Sequence, residues 1–391
     1  MGALVVGLAV SITLSETALL ALAARLLWTR GVRRASMVRW PLVWPLGLFA
    51  IWSVVSAAAS QQPGDSLRAC KGLLVLSALW VVAASLRDVE AAQRFLTGLF
   101  VALVGVSLLG IVQVAGCPPD GGYGSPPQYP LIGVYFKKCA RAHAFYSIYM
   151  TLAGVLAVVL VGAMPQLAGM RRRGLAVAGW LAGLVALGLT LVRGAWLGFA
   201  VGLVVMLALL RARAAGLVGL MLLPLAVLAL PTVHHRLTTI GDVADPTTRE
   251  RLAMLQAGLR LVSERSLTGV GPGQVKRLYP DYAPPEAVRR HTSHLHNTPL
   301  QVAAERGLVG LALWTWIFVA FFVQAARALR RLPRGAGAER ALVVGGMAAV
   351  ATFLVGGLFE YNFGDTEVLL VALSLMALVF VVERGLAESA A

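Results

Sequence analysis

The chain has 391 residues, of which 58% are hydrophobic and only 13% charged, with a formal net charge of +16. Its mean hydropathy of +0.78 excludes an ordinary soluble domain. The positive charge sits in short loops between apolar runs. It reads as membrane topology rather than a nucleic-acid-binding face, so no nucleic-acid partner is expected.

Roughly 20 apolar residues cross a bilayer core, and the chain carries eleven runs of about that kind. In order they are 3–28, 41–60, 71–86, 94–115, 143–163, 175–191, 195–211, 214–231, 299–327, 341–359 and 366–383. The runs at 71–86 and 175–191 are short. The first is interrupted by Ser11, Thr13, Ser15 and Glu16 and is expected to be incomplete or broken. Met1-Gly2 leads directly into apolar sequence, without the basic start or small-residue cleavage site of a signal peptide. Glu16 apart, the spans read as close to charge-free, which argues against a transporter with ionisable groups at mid-membrane.

Basic loops stay in the cytoplasm. Arg30/Arg33/Arg34/Arg39, Arg87/Arg94, Arg171-Arg172-Arg173, Arg211/Arg213 and the Arg327–Arg340 group fall on alternate connections. The opposite, outer side then receives 61–70, 116–142, Val192–Gly194, a polar island at 233–297 and Tyr361–Thr366, with all six histidines. The expectation is a single integral membrane domain over 1–391. One large outer loop, 232–298, and a smaller one, 116–142, cover its outer face. Cys117 and Cys139 flank the smaller loop, either as a disulfide or as two thiols.

Within the island, Asp245-Pro246 is a helix start. Leu252, Leu255, Leu259 and Val262 recur at helical spacing. This predicts a helix from Pro246 to Glu264, its leucine stripe laid on the membrane domain or in the membrane interface. Gly269–Gly273 predicts a turn and Pro284-Pro285-Glu286 a short helical piece. Asn297 is a natural N-cap for the next span, in which Ala303, Gly307 and Gly310 would share one helix face open to close packing.

Five of the six histidines lie in the island. His296 falls at the mouth of a membrane helix, where the positive end of the dipole and nearby arginines disfavour imidazolium. A neutral imidazole is what a general base requires. The alternative is a histidine that merely caps or packs there. His294 and His291 are lesser candidates. A His-x-His pair also suggests metal, but no cysteine or carboxylate accompanies it at ligand spacing, and no metal is expected. Arg193, in the short Val192-Arg193-Gly194 connection, is either a snorkelling arginine or an anion ligand. Arg251 lies in the island helix. Arg141 precedes the fifth span with His143 and Tyr146. Glu360, before Tyr361-Asn362, is either a solvated helix-end carboxylate or a partner that orients a base.

Several of these segments carry a resemblance. Arg193-Gly194-Ala195-Trp196, the Arg251-led helix (with Leu255 where a tryptophan is usual), the Gly269–Gly273 turn and His296-Asn297 through Gly307 and Gly310 are similar to those of the O-antigen ligase superfamily. Weaker likenesses run over Pro45–Leu67, with Ser53, Ser56, Ser60, Pro63 and Ser66-Leu67, and over Arg141–Gly154.

The resemblance implies an all-α polytopic membrane protein of about 11–12 spans with one large helical periplasmic loop, a GT-C-like glycosyltransferase. It implies an inverting, cofactor-free and metal-independent transfer in the bacterial inner membrane, with the site facing the periplasm. The donor would be a glycan on undecaprenyl pyrophosphate and the acceptor a lipid A-core sugar hydroxyl. His296 would be the general base. Arg193, Arg251 and Arg141 would bind pyrophosphate, with Asn297, His294, Tyr146 and Glu360 in support. A polymerase or a protein oligosaccharyltransferase would share the donor and differ in acceptor. No nucleotide-binding phosphate loop is present in the sequence.

Overall fold

The computed structural model describes residues 1–35, 40–118, 138–167, 169–210, 246–333 and 335–388. Every regular element among them is helical. They are α1 (Gly2–Val10), α2 (Ile12–Ala35), α3 (Val43–Ala58), α4 (Pro63–Ala69), a 3-10 segment (Cys70–Ser77), α5 (Ala78–Ser85), α6 (Val89–Ala115), α7 (Tyr149–Leu167), α8 (Arg173–Leu189), α9 (Arg193–Leu210), α10 (Pro246–Glu264), α11 (Val275–Tyr282), α12 (Thr298–Arg331), α13 (Gly337–Gly356) and α14 (Thr366–Glu388). Eight stretches among the described residues are long and apolar enough to cross a membrane, and α3 and α8 are shorter apolar helices. The chain is an all-α, multi-pass membrane protein. The run at 214–231, with His234 and His235, lies outside the described residues.

Helices that are apolar all round belong at the centre of a bundle. Here these are α7, α13 and α14, most of whose residues are buried. Between such helices apolar burial gives little drive, because lipid tails are as apolar as leucine, so close packing must hold them. A Cβ on Gly345 of α13 would lie 2.1 Å from the Gly162 carbonyl oxygen of α7, so the two backbones meet where only glycine fits.

The first run is broken, as its polar residues implied. Ser11 adopts an extended backbone (φ −161, ψ 121) between α1 and α2. The run at 71–86 starts earlier than the apolar stretch and includes the 3-10 turn Cys70–Ser77. The span expected from 143 begins only at Tyr149. Residues before it are tied down by Gln113, whose Oε1 accepts from the backbone N–H groups of His143 and Ala144 at 3.2 and 2.7 Å. Cys117 and Cys139 form a disulfide, Cα atoms 5.4 Å apart.

In the island, the helix from Pro246 to Glu264 is present, but it turns its other face inward. Ala253, Met254, Ala257 and Leu261 are buried, while Leu252, Leu255 and Leu259 are 44%, 41% and 55% exposed. The small residues win the inner face because α10 lies close to the start of α12, where Gly258 meets Leu295 and Leu300. The expected helical piece at Pro284–Glu286 is only a turn, since consecutive prolines disfavour helix before them. The helix lies earlier, at Val275–Tyr282. Val275, Leu278, Tyr279 and Tyr282 give it a helical apolar spacing legible in the sequence. α10, α11 and the start of α12 share a small core of their own, centred on Leu261, Val275, Tyr279 and Leu295.

α12 is not one continuous helix. Gly307 has φ 69 and ψ −177, a conformation open in practice only to glycine. A Cβ there would sit 1.9 Å from the Leu267 carbonyl oxygen. Gly307 therefore breaks the helix rather than sharing a packing face with Ala303 and Gly310. The spans are not charge-free either. Glu305 and Arg306, inside the run 299–327, are 3% and 6% exposed and paired at 2.9 Å. Gly307→Ala is expected to destabilise the fold by roughly 2–4 kcal/mol through the clash and the positive φ. Gly47→Ala, in open space within α3, should be neutral. Unfolding titrations in detergent would separate the two.

Candidate active site

The start of α12 is stitched to the turn that follows α13. Asn297 caps α12 as expected, its Oδ1 accepting from Leu300 N at 2.9 Å while its Nδ2 donates to Leu358 O at 2.9 Å. Thr298 N donates to Gly357 O at 2.7 Å and its hydroxyl to Glu360 O at 2.9 Å. These bonds bring two segments more than sixty residues apart into register: His294-Leu295-His296 and Phe359-Glu360-Tyr361.

In this register His296 Nδ1 lies 2.7 and 2.9 Å from the two Glu360 carboxylate oxygens. An Nδ1–H donated to the carboxylate fixes the tautomer and leaves the Nε2 lone pair available. His296 is held with φ 49, an uncommon backbone for a non-glycine residue and one that recurs at functional sites. His294 packs beside it at a tilt, ring centroids 4.2 Å apart, with Nδ1 3.7 Å from Glu360. Burial, then the neighbouring His296, push the pKa of His294 down to about 4. Arg251 acts the same way, and Glu360 only partly opposes them. His294 is therefore neutral at neutral pH. Burial alone would raise the Glu360 pKa, but the His296 hydrogen bond, the electrostatic pull of the two imidazoles and the Tyr361 backbone N–H outweigh it and hold the carboxyl below its ordinary value.

One of the three arginines reaches the same turn directly, and the backbone beside a second packs on it. Arg251 Nη1 donates to Phe359 O. Gly194, next to Arg193, packs directly on the Phe359 side chain. Arg141 is not brought to His296 by any contact among the described residues. Its guanidinium lies over the Tyr149 ring, 4.4 Å from the centroid, and its neighbour Ala142 bonds to Leu189 O at the end of α8. Tyr146 is buried away from the cluster and donates to Leu8 O at 3.0 Å.

Sequence reasoning missed the polar chain behind the histidines. Leu295 N donates to Gln301 Oε1 at 2.8 Å, and Gln301 Nε2 donates to Glu305 Oε1 at 2.8 Å. Glu305 pairs with Arg306, whose Nε donates to Ser53 Oγ at 2.9 Å. Gln301, Glu305 and Arg306 sit in plain view just after His296-Asn297, at helical spacing. The signal was the presence of charge inside an apolar run.

His294, His296 and Glu360 also each offer a ligand atom, all within 4.8 Å of one another. The carboxylate judged missing from the His-x-His pair is supplied by a distant segment, so spacing along the chain was the wrong ground for discounting it. These three are the residues that could hold a metal ion.

Residues 177–315 match the family model described as O-antigen ligase. That segment runs from α8 past the break in α12 and holds Arg193, Arg251, His294, His296 and Asn297; Glu360 lies beyond it. The match supports the O-antigen ligase superfamily, and with it enzymatic glycan transfer of the ligase or polymerase kind. No curated protein matches the chain.

Between pH 6.5 and about 4, unfolded chains take up a proton at residue 294 that the folded protein refuses, so this histidine makes stability fall as pH falls. His294→Gln should flatten the decline in melting temperature over that window. An unchanged slope would contradict the neutral assignment.

Proposed function

We propose that the protein is an inverting glycosyltransferase that moves a glycan from undecaprenyl pyrophosphate to a lipid A-core sugar hydroxyl, in the bacterial inner membrane and at its periplasmic face. The observation that carries this reading is the His296–Glu360 hydrogen bond at the mouth of α12, set on the turn that Arg251 binds and Gly194 packs against. His296 Nε2 would take the proton from the acceptor hydroxyl as its oxygen attacks the anomeric carbon. The bond from that carbon to the pyrophosphate oxygen then breaks, and undecaprenyl pyrophosphate departs. Glu360 would stabilise the imidazolium that forms. Arg193 and Arg251 would meet the charge that develops on the leaving group. Arg141, set apart from the histidines, would serve the donor only at the rim of the site. The donor's own glycosyl phosphate bond supplies the driving force, so no nucleotide is needed, and in this reading the imidazole and arginines work without a cofactor or metal.

The periplasmic placement rests on the alternation of basic loops. The Arg193, His296 and Glu360 ends of the helices lie together, and the Arg171–Arg173 end of α8 is opposite. A polymerase or a protein oligosaccharyltransferase would use the same donor and the same base, so the acceptor decides between them.

The test supplies purified protein with an undecaprenyl-pyrophosphate-linked glycan and three acceptors side by side: lipid A-core, a second lipid-linked glycan and an acceptor protein. Transfer to lipid A-core is expected, falling about 10²–10⁴-fold in His296→Ala. Arg193→Ala and Arg251→Ala should weaken donor use more than acceptor use. Elongation of the lipid-linked glycan, or labelled protein, would move the assignment to the corresponding relative. Chelators should leave the rate unchanged. A loss restored by added metal would make His294, His296 and Glu360 a metal site instead.

A further inference from the structure

At the end of the bundle away from His296, α6 and α8 enclose a cleft of about 970 Å³. α8 places its Arg171–Arg172 rim roughly 25 Å from the Arg193 turn, at 1.5 Å per residue. Its walls are apolar and open to the membrane: Val101 and Leu108 of α6 and Leu175 of α8 are 61%, 51% and 67% exposed. Its rim is basic, with Arg94, Arg171 and Arg172 against one acid, Glu90, which pairs with Arg94. The N-terminus of α8 opens here, and no side chain caps its amides, so the helix end itself favours an anion.

An independent observation comes from α7. Gln166 lines the same cleft and is 7% exposed, yet its Nε2 has no hydrogen-bond partner among the described residues. A buried amide donor left unpaired is costly, and here it belongs to a side chain in the cleft wall that need only turn to meet an acceptor oxygen. Apolar walls, a net-positive rim and a waiting donor at the boundary between them match one kind of molecule. We propose that this cleft binds an anionic glycerophospholipid, with acyl chains along α6 and α8 and the phosphate at Arg171 and Arg172. The Gln166 amide would donate to an ester or phosphate oxygen. Basic pockets between membrane helices on the cytoplasmic side favour such headgroups. The site is separate from the glycan-transfer site and stands whether or not that reading holds.

The test is native mass spectrometry of the full-length protein in neutral detergent, offered equal phosphatidylglycerol and phosphatidylcholine. Selective retention of phosphatidylglycerol is expected. It should fall at least about tenfold in Arg171→Gln/Arg172→Gln, at about one kcal/mol per arginine. Val101→Trp, which fills the apolar wall and keeps every charge, should also lower it. All three positions are exposed, and unchanged melting temperatures would show that the variants fold. Equal retention of the two lipids would overturn the proposal, as would phosphatidylglycerol binding untouched by both variants. Displacement by glycerol phosphate at the same concentration would overturn it too, in favour of a free phosphate site.

Discussion

Everything around the site depends on one buried ion pair. Glu305 and Arg306 sit in a membrane-spanning helix with almost no exposure, where an unpaired charge would be very costly. They are tolerated because each is saturated by groups from elsewhere. Glu305 takes Gln301 Nε2 and the backbone N–H of Gly273, and Arg306 donates to Ser53 as well as to Glu305. The helix breaks at this point, and the backbone groups it frees are also accounted for. Ala304 O and Glu305 O accept from Val270 N and Gly271 N, each at 2.9 Å, and Arg306 O accepts from Trp52. α3, the glycine turn, the head of α12 and the Glu360–Tyr361 turn are therefore locked together by a requirement that membranes make absolute: every polar group must be satisfied within the protein.

This lock gives the histidines their chemistry. His296 cannot swing away from Glu360, because Thr298 and Asn297 tie its segment to the 357–360 backbone and Gln301 holds Leu295 in front of it. Such fixing of a base by a carboxylate, and of the carboxylate by the frame, is the pre-organisation that proton transfer requires. The charge inside α12 is thereby absorbed into structure. Each partner is fully engaged, so the pair gives no support to a transport pathway.

Much of this was legible in the sequence. Membrane-grade runs marked the helices, Asn297 marked the start of α12, and the leucine spacing after Asp245-Pro246 marked the island helix through to Glu264. What failed did so for tertiary reasons. The face that α10 buries is set by how closely α12 approaches, so the leucine stripe does not lie on the membrane domain, the first of its two expected places, and stays free for the membrane interface, the second. Gly307 reads as a small packing residue until its backbone angles show a break. Glu360 could be suspected, but only folding across some sixty residues makes it the partner of His296. Tyr146 bonds to Leu8 O and Arg141 lies over the Tyr149 ring, contacts that their nearness to a span end does not reveal. The serines at 53 and 56 carried a faint family likeness whose physical reason, hydrogen bonds to Arg306 and to the Thr268 and Glu305 carbonyls, appears only in the fold.

The central claim is that His296 and Glu360 act as one unit. The direct measurement is a double-mutant cycle on the transfer rate, using His296→Ala, Glu360→Gln and the two combined. If the carboxylate works only through the imidazole, the double variant should be no slower than His296→Ala alone. Losses that multiply, with the double variant slower by the product of the single effects, would show the two acting independently and would contradict the account.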